Sequence, residues 1–217
     1  MAQQDINEFK KSLVHDELIT ICMANNRNKP IKVSRALLTA ASPWFQSALD
    51  KKFKEGEERV LRFPDAECDT VTEFLFWLFN ARQLSDSFAD QVGSATAVSN
   101  AQLRDVQLWI FADMHCLPDL CGAAMRDLHC KLSIQWPSTE VVRTAFEGTA
   151  ADSPLRRVIL KEVVFGMRSR AKGDVSAGFS LGELEKLMDL PGFAVALMKE
   201  LGKCLVELSW QDISEID

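Results

Sequence analysis

The sequence predicts an α+β protein, with strands confined to the first third of the chain and helices filling the rest. Two observations carry this. Three short runs rich in apolar and β-branched residues, Leu18–Met23, Ile31–Val33 and Val60–Phe63, are set off by turn-forming residues. From Val71 onward apolar residues recur instead at three- and four-residue spacing, the period of a helix with one buried face.

The elements follow in order. Ile6, Phe9 and Leu13 stand at helical spacing and form an amphipathic lead-in. Leu18–Met23 fits a largely buried strand. Asn25-Asn26-Arg27-Asn28 tolerates left-handed turn geometry, so Ile31-Lys32-Val33 returns as the partner strand of a hairpin. Ser34 is a good N-cap for a short helix holding Leu37 and Leu38. Ser42-Pro43 starts the next helix with a capping hydroxyl and a proline at the first helical position. Val60 to Phe63 form a third strand, ended by Pro64-Asp65. Val71, Phe74, Leu75 and Leu78 trace a helical stripe. Phe76, Trp77 and Phe79 fill its other faces, which predicts burial on most sides.

The stretch from Ser85 to Asn100 is polar, offers little to pack, and is long for a loop inside a compact domain. Structure is expected to resume at Leu103, with Val106, Trp109 and Ile110 on one face. Pro118-Asp119 opens a helix carrying Leu120, Ala124, Leu128 and Leu132. Ser138 caps the next, with Val141, Val142, Ala145 and Phe146, and Ser153-Pro154 starts a longer one with Leu155, Val158, Ile159 and Val163. Leu181, Leu184, Leu187 and Met188 mark a third helix of this region. Phe193, Leu197, Leu201, Cys204, Leu205 and Leu208 mark a fourth, docked through Trp210.

Composition limits the function. A net charge of −6 argues against a nucleic-acid or anionic-membrane role, since both reward a dominant basic surface. No apolar run approaches the roughly 20 residues of a bilayer crossing. The polar start Met1-Ala2-Gln3-Gln4-Asp5 does not read as a signal peptide. The six cysteines then read as reduced thiols of an intracellular protein, in cytoplasm or nucleus, rather than a disulfide framework.

His115, Cys116, Cys121, His129 and Cys130 are the residue types of a zinc site. Yet Cys121 and His129 stand on one predicted helix, separated by about 12 Å along its axis, while zinc ligands must all lie within about 2.0–2.3 Å of the metal. Neither a metal nor any other cofactor is expected. Nothing aligns a cysteine or serine with a histidine for nucleophilic catalysis, so an enzyme is not expected either. Lys51-Lys52 and Arg156-Arg157 read as solvated faces of an acidic protein.

The segment from about Ser12 to Leu132 resembles the BTB/POZ domain. The matching residues run in order: Asp16 before the first strand, then Leu37-Leu38-Thr39-Ala40-Ala41-Ser42-Pro43-Trp44-Phe45, Phe53-Lys54-Glu55, Phe63-Pro64-Asp65, Trp77-Leu78-Phe79, and Leu108 through Leu120. Trp136-Pro137-Ser138 and Ser153-Pro154-Leu155-Arg156-Arg157 are similar to the helical extension of BTB proteins from filamentous fungi. Two departures are visible. Ser34-Arg35 replaces the family's His-Lys pair, and Phe79-Asn80-Ala81 replaces its Tyr-Thr-Gly segment, removing a glycine from a helix end.

The resemblance implies a small mixed sheet with a cluster of short helices, followed by an all-α extension. The expected division is a lead-in over 1–11, the BTB-like domain over 12–132 with a polar loop at 82–102, and the extension over 133–217. It further implies homodimerisation through Phe9, Leu13, Leu37, Leu38 and Trp44, although at least one of Leu37 and Leu38 must be core. In the subset that adapts substrates to a cullin scaffold of a ubiquitin ligase, a hydrophobic-x-acidic pattern docks the cullin. Phe53 and Glu55 occupy that pattern, with an aromatic anchor and a rim carboxylate; the alternative is Phe53 folded onto the helix behind it. Such adaptors need a substrate-reading part, and only helical pattern is expected after Leu132, so either the helical region itself reads the substrate or the protein is a homodimeric scaffold in transcriptional or other assemblies without a ubiquitin role.

Overall fold

Leu18–Met23 (β1) is the middle strand of a three-stranded sheet ordered β2-β1-β3 in the computed structural model. The structure describes residues 17–23, 30–85, 94–174 and 178–214, with side chains described as far as residue 203. β1 pairs antiparallel with Ile31–Ser34 (β2), Leu18 facing Ser34 and Ile21 facing Ile31. It pairs parallel with Val60–Phe63 (β3), Thr20 facing Val60 and Met23 facing Phe63. The expected hairpin and mixed sheet are both present. β1 is not buried throughout, however. Ile19, Ile21 and Met23 are core, while Leu18 is exposed and Thr20 and Cys22 are half-buried. The alternation follows from the two-residue period of a strand with one covered face.

Between β2 and β3 lie three short helices, Arg35–Ala41 (α1), Pro43–Ala48 (α2) and Lys54–Glu58 (α3). The caps fall where the sequence places them. Ser34 Oγ accepts from the Leu37 amide at 3.1 Å, and Ser42 Oγ accepts from the Trp44 amide at 3.0 Å. The helix Cys68–Phe79 (α4) buries Val71, Phe74, Leu75 and Trp77, but leaves Phe76 and Phe79 exposed. Burial on most sides is therefore corrected to burial of one broad face.

The helix Ala95–Met114 (α5) begins eight residues before Leu103, the expected start. Ser94 Oγ accepts from the Ala97 amide at 3.2 Å, and Val98, Ala101 and Gln102 are already buried. Pro118–Leu132 (α6), Thr139–Gly148 (α7), Pro154–Ala171 (α8), Leu181–Met188 (α9) and Phe193–Ser214 (α10) complete the chain. Ser138, Ser153 and Ser180 cap α7, α8 and α9, the last as a reciprocal pair with Glu183. Among the described residues no helix is long and apolar enough to cross a membrane.

The chain forms two compact units, Met1–Ser85 with Phe111–Ala123, and Asp86–Ile110 with Ala124–Asp217. Helices α5 and α6 each contribute to both. The core of the first unit is aromatic. The His115 ring lies 4.1 Å from that of Phe111, 4.5 Å from Trp44 and 5.3 Å from Phe63, and Phe45 stacks on Phe74 at 5.6 Å.

In the second unit Lys131 is buried and reaches Asp105 at 2.7 Å and Asp127 at 2.6 Å. Arg156 is not the solvated residue its sequence suggests. Its guanidinium donates to the Phe146 and Thr149 carbonyl oxygens and lies over the Phe146 ring at 4.8 Å, closing the end of α7.

Candidate protein-docking site

The hydrophobic-x-acidic segment is built on a tight turn. The Asp50 amide donates to the Ser47 carbonyl at 3.1 Å, and the Phe53 amide donates to the Asp50 carbonyl at 2.9 Å. Asp50 Oδ1 accepts from the Lys52 amide at 3.1 Å, the local bond an aspartate makes in turns. Phe53 is then the N-cap of α3, and its carbonyl accepts from the Gly56 and Glu57 amides, both at 3.1 Å.

Gly56 sets this geometry. It is buried, and a Cβ there would lie 2.2 Å from the Asp50 carbonyl oxygen and 2.7 Å from that of Leu49. Only a residue without a side chain lets α3 turn back on the end of α2 so closely. The fourfold run Phe53-Lys54-Glu55-Gly56 carried that signal, and sequence reasoning passed over the glycine.

The turn leaves Phe53 54% exposed. Glu55 is half-buried in the first turn of α3 and makes no ion pair among the described residues, whereas Lys54 pairs with Glu58 at 3.7 Å. At the far end of α3, Arg59 adopts the left-handed conformation (φ 56°, ψ 40°) and leads into β3. Glu17 ties this frame together, bonding Arg35 at 2.8 Å and Arg59 at 3.0 Å, while Arg35 also donates to the Leu49 carbonyl at 2.8 Å. The hydrogen bond from Arg35, with the nearby positive charges, holds the Glu17 carboxyl below its ordinary value.

The residues expected at a dimer surface separate. Leu37 is 37% exposed, while Leu38 is fully buried. Leu38 is thus corrected from contact residue to core residue: α1 turns it to the interior, and Leu37, about 100° round the helix, lies at the edge of the covered face. Trp44 is half-buried, its ring packed edge-on to Phe45 at 5.1 Å. Phe9 and Leu13 lie outside the described residues. Leu18, Phe76, Phe79 and Met114 are further exposed apolar residues of this unit, and sequence patterning did not expect their exposure.

A family model for the BTB/POZ domain matches residues 9–104. These residues are a BTB/POZ domain. A search of curated proteins found no match to the chain. BTB/POZ domains are a protein-interaction family, and residues 9–104 form a protein–protein interaction module of that kind. The match contains the three strands, the three short helices between β2 and β3, helix α4, the first half of α5, and the Phe53–Glu55 turn.

The histidine and cysteines weighed for zinc are placed differently. His115 Nδ1 bonds the Phe111 carbonyl at 2.7 Å and its ring is packed among aromatic side chains; burial pushes its pKa down. Cys116 is exposed, and burial pushes the Cys121 thiol up to about 11, away from thiolate chemistry. Among the described residues no group of three or more His, Cys, Asp or Glu side chains is positioned to hold a metal ion.

Proposed function

We propose that this BTB/POZ protein homodimerises and uses the Phe53–Glu55 turn to dock a cullin scaffold, acting as an adaptor of a ubiquitin ligase. The observation that carries the docking reading is the exposure of Phe53 at the head of a glycine-locked turn. An aromatic ring held in water by a rigid backbone is a pre-organised anchor, which loses little freedom when a partner covers it. Glu55, beside it and unpaired among the described residues, supplies an acidic rim for a basic partner. Leu37 and Trp44 are the residues assigned to the self-association surface, together with Phe9 and Leu13.

The test is a pull-down of purified cullin N-terminal region by wild type and by the Phe53→Ala/Glu55→Ala double variant. Capture by wild type and loss in the variant supports the adaptor reading. If wild type captures no cullin while light scattering still gives twice the 24.3 kDa chain mass, the chain is a homodimeric scaffold without that role.

A further inference from the structure

Helix α8 carries a surface that the BTB/POZ domain does not account for. Its buried face is apolar, with Leu155, Ile159, Leu160, Val163 and Val164 in the core of the second unit. On another face stand Arg157, Lys161, Phe165 and Arg168, spaced four, four and three residues apart, so that they line up along the helix. Arg157 and Lys161 are exposed and Arg168 is half-exposed; none of the three forms an ion pair among the described residues. The protein carries net charge −6, so a stripe of uncompensated cations is a local reversal of its field.

Phe165 sits within this stripe and is 58% exposed. Its ring is fixed on one side against Trp136, at a centroid distance of 5.4 Å. Gly166 holds that corner. A Cβ there would lie 2.7 Å from the Gly178 Cα and 3.3 Å from the Trp136 ring, so the chain at Gly178 passes directly over α8. The result is a supported aromatic shelf flanked by cationic side chains. Such a surface pairs an apolar anchor with charges that steer and orient a partner.

We infer that the α8 stripe docks an acidic peptide segment of another protein, one that places an apolar side chain on Phe165 and carboxylates on Arg157, Lys161 and Arg168. The charges select an anion, and the central phenylalanine selects one with an apolar group among its carboxylates. Nucleic acid fits less well, because the net negative charge of the chain opposes approach of a long polyanion. From Arg157 to Arg168 the helix rises about 17 Å, the span of roughly five extended residues. The segment is therefore short.

The probe is a fluorescein-labelled peptide of about eight residues, alternating aspartate and glutamate around one phenylalanine, measured by fluorescence anisotropy against the full chain. Wild type is expected to bind it, and to bind versions with glutamine for the acids or alanine for the phenylalanine at least about tenfold more weakly. Phe165→Ala and the double variant Lys161→Glu/Arg168→Glu are each expected to lose about tenfold or more. All these side chains are exposed or half-exposed, and a thermal melt checks that both variants remain folded. Absence of binding by wild type overturns the inference. So does equal binding by the folded variants, or tighter binding of single-stranded DNA than of the acidic peptide.

Discussion

Ser42 Oγ donates to the carbonyl oxygen of His115 at 2.5 Å while accepting from the Trp44 amide at 3.0 Å. One hydroxyl thus caps α2 and fastens it to the end of α5, across 73 residues of sequence. Both groups are buried, so water cannot replace either bond. The tether also holds Trp44 edge-on to the His115 ring at 4.5 Å, and so couples the first unit's core to a residue proposed for self-association.

Replacing Ser42 by alanine removes the cap and leaves the His115 carbonyl without this donor. Loss of a serine cap costs about 1 kcal/mol, and an unsatisfied buried acceptor adds on the order of 1 kcal/mol. Ser42→Ala is therefore expected to lower unfolding free energy by about 2 kcal/mol in urea titrations. Ser42→Thr should retain most of it, since its hydroxyl can make the same bonds.

His115 makes stability sensitive to acid. Burial depresses its pKa in the fold below the ordinary 6.5, with the Phe111 carbonyl acting in the opposite sense. The unfolded chain then binds the proton more readily than the fold does. His115 contributes fully above pH 6.5, and its contribution is lost as pH falls from there through the depressed folded value. The slope is at most about 1.4 kcal/mol per pH unit for one such group. His115→Gln should flatten the curve of unfolding free energy against pH in that window relative to wild type. Identical slopes in the two proteins would refute the assignment.

The sheet and the serine caps were legible because each rests on local chemistry: β-branched runs between turn residues, or a hydroxyl one position before a helix. The N-terminal turns of α5 were not. Ala95-Thr96-Ala97-Val98-Ser99-Asn100 holds residues that favour caps and loops as readily as helix interiors, and burial of Val98 and Ala101 decides the matter. Leu37 and Leu38 could be told apart only by orientation, since both fit the pattern. In the docking turn, Phe53 and Glu55 could be picked out from the sequence, but the reason Phe53 stays exposed could not. It depends on a backbone approach between Gly56 and Asp50 that no periodicity records. The Asp105–Lys131 pair was hidden likewise, its partners being 26 residues apart.

The end of α4 stores strain where the sequence departs from its family. Asn80 is the C-cap, Ala81 follows at φ 50°, and the Arg82 amide bonds the Trp77 carbonyl at 3.0 Å. That six-residue closure ordinarily places glycine at the left-handed position. An alanine there costs roughly 1–2 kcal/mol, less the 0.5–1 kcal/mol of chain entropy that a glycine would forfeit on folding. Ala81→Gly is expected to stabilise the protein by about 0.5–1 kcal/mol and raise its melting temperature by a few degrees. A decrease would show that the turn is not strained.

Lys131 and Asp105 form a buried ion pair in the second unit. Desolvation raises the Asp105 pKa to about 7, against the pull of Lys131. Lys131→Met removes the only cation bonded to Asp105 among the described residues and leaves its carboxylate buried. The expected loss at pH 8 is about 3–5 kcal/mol. Without the cation that holds it down, the Asp105 pKa rises further, so a proton neutralises the remaining carboxyl and the deficit should shrink as pH falls from 8 toward 7 and below. Urea midpoints at pH 5.5 and pH 8 read this directly, and a pH-independent deficit would mean that packing, not charge, is what the variant loses.

Leu37 and Leu38 give the sharpest separation between folding and assembly. Leu38 is fully buried and Leu37 is 37% exposed on the same short helix. Leu38→Ala removes core volume and is expected to lower unfolding free energy by about 2–5 kcal/mol, as buried leucines do. Leu37→Glu places its carboxylate in water, so the isolated fold should change by no more than about 0.5 kcal/mol. If Leu37 lies at the self-association surface, that carboxylate is forced against its symmetry mate in a two-fold dimer, and like charges there oppose association. Light scattering should then show Leu37→Glu as a folded monomer at concentrations where wild type is dimeric. A variant that remains fully dimeric removes Leu37 from the interface and leaves α1 as a structural helix only.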